Sequence, residues 1–352
     1  MIPGKEIISS YGLDPNTVKI EVIDKGLINS TWQIKDQSHH FILQKINHNV
    51  FKKPEAIASN LRLIADYLSK HDPGYLLATP VQTVDHEEMK FVKDEGYFRL
   101  IPFVKDSHTI ATVEKPEQAY EAAKKFGEFT KLLSGFPVVQ LQNTILDFHN
   151  LSLRYDQFMD ALESGDKDRI KQSGELILFL KNNKDIADTY ENILQNPSFI
   201  LRVTHHDTKI SNVLFNEDDK GICVIDLDTV MPGYFISDVG DMMRTYLSPA
   251  NEEEKDFSKV QVREDYFKSI WDGYMEEMKN ELTEDERQHF IYAGKFMIYM
   301  QALRFLSDHL NNDVYYGSKY EGQNFVRAGN QIALLQRLLE KEQLLKSLID
   351  SK

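Results

Sequence analysis

One stretch of this chain concentrates groups able to do chemistry. It reads Val203-Thr204-His205-His206-Asp207-Thr208-Lys209-Ile210-Ser211-Asn212-Val213-Leu214. Asp226 falls fourteen residues past Asn212, in Val224-Ile225-Asp226-Leu227-Asp228. The pattern is H-x-D, an Asn five residues after Asp207, then an apolar strand ending in an acid. Phosphoryl transfer from ATP needs this set of groups. A carboxylate must orient the attacking hydroxyl and accept its proton. Oxygen ligands must hold Mg²⁺ against the phosphates, and a cation must offset charge on the transferred group. Mg²⁺ keeps only one or two protein ligands beside phosphates and waters. Asp207 therefore suits the catalytic base, and Lys209 the cation facing the γ-phosphoryl group. Asn212 and Asp226 suit the metal. A polar loop with a surface acid would explain H-x-D alone, but not the whole spacing. A metal shared by His205 and His206 is disfavoured, because neighbours on an extended segment point to opposite faces. His205 is expected to bond nearby backbone and brace the loop.

These residues need elements to position them. β-branched and aromatic runs predict strands at 18–23, 31–34, 41–46, 88–92 and 96–102. Helical spacing of Ala56, Ile57, Leu61, Ile64, Ala65 and Leu68 predicts a helix over 52–71. From about 113 helical periodicity dominates, with helices expected at 116–133, 153–164, 168–182, 257–280, 284–310 and 323–348. Strands at 212–215 and 221–226 interrupt that half. The fold class is thus α+β: a small β-rich lobe over 1–103, a connector near 101–105, and a larger, mostly helical lobe over 104–352. The acidic run 251–256 reads as a solvated face capping the next helix, and Trp32 and Trp271 as core residues. Gly233 and Gly240 are expected to serve backbone turns.

Composition narrows the class. The chain has 352 residues, 41 basic against 55 acidic, a net charge of −14. That balance argues against a nucleic-acid partner, whose binding surface is normally basic. Lone Cys223 allows no internal disulfide and no thiolate metal cluster. No apolar run approaches the length of a membrane span. The first residues carry no basic patch followed by an apolar stretch, so no signal peptide is expected. A cytoplasmic, reduced compartment is the expectation.

The residues from His205-x-Asp207-x-x-x-x-Asn212 to Ile225-Asp226 resemble the catalytic core of the aminoglycoside phosphotransferase/choline kinase superfamily, a branch of the protein-kinase-like fold. Within it, Leu201-Arg202-Val203-Thr204-His205 and Val224-Ile225-Asp226-Leu227-Asp228-Thr229-Val230-Met231-Pro232-Gly233 resemble the N-acetylhexosamine 1-kinases. So do Arg304-Phe305-Leu306-x-Asp308 with Asp313-Val314-Tyr315-Tyr316, and Gly26-x-Ile28-Asn29-x-Thr31 with Phe41-Ile42-Leu43-Gln44. The resemblance implies a two-lobed kinase using ATP and Mg²⁺ to phosphorylate the anomeric 1-hydroxyl of N-acetylglucosamine or N-acetylgalactosamine. Residues 1–103 would be the nucleotide-binding lobe and 104–352 the catalytic and sugar-binding lobe. Asp207 would be the base, Asn212 and Asp226 the metal ligands, and Asp238 or Asp241 structural acids.

Departures from the generic kinase pattern matter. Only Gly26 and Asn29 stand where a full glycine-rich phosphate loop is usual. Gln44 occupies the place of the phosphate-binding lysine, and strand alternation turns its neighbour Lys45 away from the cleft. Ile101 and Phe103 lie at the connector where such folds hold adenine. Arg304 and Asp308 stand at i, i+4, a spacing that also suits an intrahelical ion pair. The resemblance makes Arg304 a candidate donor to sugar oxygens, Tyr315 a candidate wall, and Asp228 and Asp308 further candidate sugar contacts. Choline or an aminoglycoside is the competing acceptor, but those are cationic, and Arg304 facing the acceptor argues for a neutral sugar. A pseudokinase scaffold is the other alternative, against which Asp207, Asn212 and Asp226 are all present.

Overall fold

Strand alternation builds the first lobe. Trp32, Ile34, Leu43, Phe98 and Leu100 point to one face of a sheet and pack on Ile7, Ile8, Tyr11 and Leu13 from the N-terminal segment. The computed structural model describes residues 3–23 and 29–350. The first elements are α1 (Lys5–Ser9), β1 (Lys19–Ile23), β2 (Ser30–Lys35), β3 (His40–Lys45), α2 (Pro54–His71), β4 (Lys90–Val92) and β5 (Gly96–Pro102). The five strands form one antiparallel sheet in the order β1-β2-β3-β5-β4. In the β3–β5 ladder Gln44 stands opposite Arg99, and Lys45 opposite Phe98. Lys45 therefore shares the Leu43 face, its Nζ 5.8 Å from the centre of the Phe98 ring. Gln44 and Arg99 share the other face.

Helix α2 starts at Pro54, where the missing N–H costs nothing. Its buried stripe is Ala56, Ile57, Asn60, Leu61, Ile64 and Leu68. That stripe joins the large core of the second lobe rather than the sheet core. Asn60 fixes the junction by donating to the carbonyls of Gln142 (2.8 Å) and Val230 (3.0 Å).

The second lobe runs β6 (His108–Thr109), α3 (Pro116–Leu132), α4 (Leu151–Ser164), α5 (Lys167–Gln172), α6 (Gly174–Asn182) and α7 (Asp185–Gln195). There follow β7 (Arg202–Thr204), β8 (Val213–Phe215), β9 (Gly221–Val224), β10 (Met231–Gly233), α8 (Phe235–Tyr246), α9 (Glu264–Met278), α10 (Glu284–Gln288), α11 (Phe290–Leu310) and α12 (Gln323–Asp350). Two small sheets, β6-β8-β9 and β10-β7, carry the catalytic segments. α11 is buried on nearly every side, with α8, α4 and α12 packed around it. Cys223 lies buried on β9, its thiol pushed up to about 11 by burial, as suits an inert apolar residue. No described helix is long and apolar enough to cross a membrane.

Several expectations are corrected. The helix expected over 168–182 is two helices meeting at Ser173-Gly174, a weak pair in a helix interior. The one expected over 284–310 breaks at His289, and that over 257–280 is a single 3-10 turn at Phe257–Lys259 and then, after an extended Val260 and with Val260 and Val262 buried, a helix from Glu264. α8 is not among the expected helices, although Phe235, Ile236, Val239, Met242, Met243 and Tyr246 fall at helical spacing; its polar face is buried as well, with Asp238 and Asp241 bonded to the loop after β7. Gly233 and Gly240 serve close approach, not turns. A Cβ on Gly240 would lie 2.3 Å from the Ala293 carbonyl oxygen, where α8 meets α11. The acidic run is largely exposed and Asp256 caps the turn Phe257–Lys259, as expected, but one of its acids faces inward. Glu252 bridges Arg244 (3.3 Å) and Arg327 (2.6 Å).

Candidate active site

The catalytic loop hangs between β7 and β8 and is held by its own backbone. Asp238, at the start of α8, accepts from the N–H groups of His205 (3.0 Å) and His206 (2.7 Å). Asp241, one turn on, accepts from the Thr208 N–H at 2.8 Å. Burial pushes Asp238 up to about 7 despite its two backbone donors. His205 Nε2 meets the Ile225 carbonyl at 2.9 Å, so the buried ring ties this loop to the strand that carries Asp226. His206 adopts a left-handed backbone, φ +65°. Its ring sits against Thr204 Oγ1 at 2.7 Å, in space left by Gly233. A Cβ there would fall 2.2 Å from Thr204 Oγ1 and 2.6 Å from His206 Nε2.

This bracing brings Asp207, Lys209 and Asn212 together. Lys209 Nζ donates to Asp207 Oδ2 at 2.7 Å, and Asn212 Nδ2 donates to the same oxygen at 3.0 Å. Asp207 Oδ1 takes no hydrogen bond from a described residue, so it is the oxygen available to an acceptor hydroxyl. Burial raises the Asp207 carboxyl, but Lys209, His205 and Asn212 outweigh it and hold the group below the usual range. Lys209, partly desolvated, is raised by Asp207 and Asp226 and stays charged.

Asp226 closes β9 in a left-handed conformation, φ +59° and ψ +53°. Such conformations in a non-glycine residue cluster at functional sites. Its carboxylate accepts no hydrogen bond from any described residue. Burial, then Asp228 and Asp207, push it up to about 6. A half-buried carboxylate without a donor is costly unless a cation joins it. Asn212 spends its amide nitrogen on Asp207, which leaves its amide oxygen for a ligand. No group of three or more His, Cys, Asp and Glu residues able to hold a metal exists among the described residues. One carboxylate and one amide oxygen nonetheless fit Mg²⁺, which relies on phosphates and waters for the rest.

The other sequence candidates are placed as follows. Asp228 is buried and engaged within the protein: Arg99 Nη1 is 2.5 Å from Oδ1, and Asn29 Nδ2 donates to Oδ2 at 2.7 Å. Asn29 Oδ1 accepts from the Asn47 N–H at 3.0 Å, so Asn29 links the two lobes through both ends of its amide. Gly26 lies outside the described residues. Ile101 pairs with Ile42 in the sheet, and the Phe103 N–H donates to the His40 carbonyl at 3.0 Å. The Phe103 ring stacks on His40, centroids 3.7 Å apart.

Arg304 and Asp308 share α11 but form no ion pair. Asp308 accepts from the N–H groups of Tyr315 (2.7 Å) and Tyr316 (2.9 Å) and from Asn324 Nδ2 (3.1 Å), so it shapes the tyrosine loop. Arg304 is left among aromatic rings. Its Cζ is 5.9 Å from the centres of Phe148 and Tyr315 and 5.4 Å from that of Tyr316. Phe148 and His149 lead back to the catalytic loop, since His149 Nδ1 lies 3.3 Å from His206 Nδ1. Arg154 is near enough to feel the Arg304 charge: burial and then Arg304 lower it. Sequence reading missed Phe148, His149, Arg154 and Arg99. Each comes from a segment distant in sequence, and none carries a spacing signal.

A polar chain joins this region to the catalytic loop. It runs from Thr208 through Asp241, Arg244, Glu252 and Arg327 to Asn324, which donates to Asp308, Asp313 and the Gly317 carbonyl. The Arg327 guanidinium also covers the Phe305 ring at 3.8 Å.

A small antiparallel lobe above a larger helical one, with an acid–lysine–amide loop facing a second acid, defines a kinase-like phosphotransferase architecture. The phosphotransferase enzyme family, APH, matches residues 19–262, and the chain belongs to that family. Solved structures agree on the fold. A microcompartment-associated aminopropanol kinase is similar at 14% identity and TM-score 0.68, covering 97% of both chains. An amicoumacin kinase in complex with AMP-PNP, Ca²⁺ and Ami is similar at 14% identity and TM-score 0.63, covering 95% of this chain and 92% of that one. Choline kinase from Cryptosporidium parvum Iowa II is similar at 15% identity and TM-score 0.57, covering 96% and 92%.

Proposed function

We propose that the protein is an ATP- and Mg²⁺-dependent small-molecule kinase that phosphorylates the anomeric 1-hydroxyl of an N-acetylhexosamine. Residues over 1–103 bind the nucleotide in this reading, and those over 104–352 supply catalysis and the sugar site. Asp207 Oδ1 accepts a hydrogen bond from the acceptor hydroxyl and takes its proton as that oxygen bonds the γ-phosphorus and the bond from the γ-phosphorus to the β–γ bridging oxygen breaks, releasing ADP. Lys209 holds Asp207 Oδ2 and lies where charge on the transferring phosphoryl group develops. Bound to Asn212 and Asp226, Mg²⁺ would neutralise phosphate charge. The lowered Asp207 carboxyl is a weak base, and an anomeric hydroxyl, more acidic than an ordinary alcohol, suits it.

The observation that carries the acceptor class is Arg304 among Phe148, Tyr315 and Tyr316 with Arg154 close by. Two guanidinium groups repel the ammonium of choline, of an amino alcohol or of an aminoglycoside. Arg304 offers donors to a neutral sugar and its amide carbonyl, while ring faces cover its C–H surface; Arg154, bonded to Gln157, Asp147 and Phe148, adds charge only. The test is a panel of N-acetylhexosamines, choline, aminopropanol and aminoglycosides with ADP release as readout. ³¹P NMR then identifies the product. An anomeric sugar phosphate is expected. Turnover of choline or an aminoglycoside, with none of any N-acetylhexosamine, would refute the acceptor assignment.

A pH dependence follows from Asp226. Its carboxyl, raised to about 6, must lose its proton to hold a cation. Mg²⁺-dependent ADP binding should be level above about pH 7 and weaken roughly tenfold per pH unit well below 6. ADP binding without Mg²⁺ should change far less over the same range. Calorimetric titration at pH 5, 6 and 7.5 reads both, and parallel pH curves would contradict the metal-ligand role of Asp226.

A further inference from the structure

A polyphosphate site needs fixed positive charge, yet the usual strand lysine is Gln44 here, and Lys45 lies on the opposite face of the sheet. Directly across the ladder from Gln44 stands Arg99. Gln44 Oε1 accepts from Arg99 Nε (3.0 Å) and Nη2 (2.7 Å), which orients the guanidinium. Nη1 is thereby brought within 2.5 Å of Asp228 Oδ1, with the two side chains only 3% and 2% exposed. So little water screens this pair that the two charges hold each other strongly, which fixes the Asp228 side chain. Asp228 is two residues past Asp226, in the turn Leu227–Thr229. Asp226 leaves its strand in a left-handed conformation, so the direction of its carboxylate depends on what anchors the turn beyond it.

We propose that Arg99 replaces the missing strand lysine as the fixed cation behind the metal–phosphate site, acting through Asp228 to hold the turn that aims Asp226. Arg99 is then a positioning residue, and Gln44 is its orienting partner rather than a lost catalytic lysine. The proposal rests on the phosphotransferase reading of the site. It carries a consequence that simple packing lacks: a lysine at position 44 would meet a second cation in the native protein but supply the absent one when Arg99 is gone.

The experiment compares wild type, Arg99→Met, Gln44→Lys and the double variant Q44K/R99M in the full chain. Readouts are thermal midpoint, calorimetric ADP affinity with and without Mg²⁺, and KM for ATP against kcat. Arg99→Met should weaken Mg²⁺-dependent ADP binding roughly tenfold, about 1.4 kcal/mol, with a smaller effect on Mg²⁺-free binding. Gln44→Lys alone should also weaken it, whereas adding it to Arg99→Met should recover most of the loss. A double variant that binds no better than Arg99→Met overturns the proposal, as does an Arg99→Met protein that binds like wild type. Arg99→Met strands a buried carboxylate. Should it fail to fold, the double variant is compared with wild type directly. A folded double variant with near-native Mg²⁺-dependent affinity supports the proposal; one that is unfolded or lacks that affinity overturns it. Wild type that binds no ADP would sink the phosphotransferase reading and this proposal together, whereas wild-type binding that Arg99→Met leaves intact sinks the proposal alone.

Discussion

Asp207→Asn is expected to lower kcat by roughly two to four orders of magnitude while leaving ADP affinity essentially unchanged. The amide keeps the size of the carboxylate and can still accept from Lys209 and Asn212, so the loop should hold its shape. What it loses is the ability to take the acceptor proton and the charge that directs the hydroxyl through Oδ1. Steady-state kinetics on the substrate identified by the panel, with calorimetric ADP binding on the same preparation, separates the two effects. A near-normal kcat would show that Asp207 is not the base. A large fall in ADP affinity would show that its main task is structural.

The second large effect concerns stability. Glu286 is completely buried and receives Arg202 through both oxygens, at 2.5 and 2.9 Å. The same carboxylate accepts from the N–H groups of Ile200 (3.0 Å) and Thr283 (2.9 Å). Glu286→Ala leaves a buried guanidinium without its counter-charge and several donors without acceptors. Losing one partner of a buried pair costs about 3–5 kcal/mol, which for a chain of this size is a fall in Tm of roughly 4–7 °C. Arg202 opens β7, the strand that delivers His205 and Asp207, so activity should fall with the fold. Glu286→Gln keeps the shape and some of the bonds and should fall less. A Tm for Glu286→Ala indistinguishable from that of wild type would show that the bridge adds no net stability.

Much of the fold was legible because the signals were local. The strands at 96–102 and 41–46 and the helix from Pro54 announce themselves through alternation, helical spacing and proline. α8 also carries helical spacing, in Phe235, Ile236, Val239, Met242, Met243 and Tyr246, but that its polar face is buried against the loop after β7 could not be read from it. The break at His289 could not either, because Glu286 is committed to Arg202, a residue 84 positions earlier in the chain. The domain division placed α2 with the sheet, whereas its apolar stripe packs into the helical core.

The sequence by itself picked out the groups to which we assign the reaction. Asp207, Lys209, Asn212 and Asp226 lie within twenty residues of one another, and their spacing alone specifies a loop followed by a strand ending in an acid. Only the tertiary structure decided what surrounds them. Asp228 and Asn29, 199 positions apart, read as ligand contacts in sequence but bond to each other across the lobes. Arg304 acquires its meaning from Phe148, and Gln44 from Arg99. The physical reason is that charge and aromatic surface act through space over a few ångströms. Spacing along the chain reports only neighbours within a turn or a strand. An acidic chain that holds a polyanion, as we propose for this one, therefore hides its compensating cations until the sheet pairs and the helices pack.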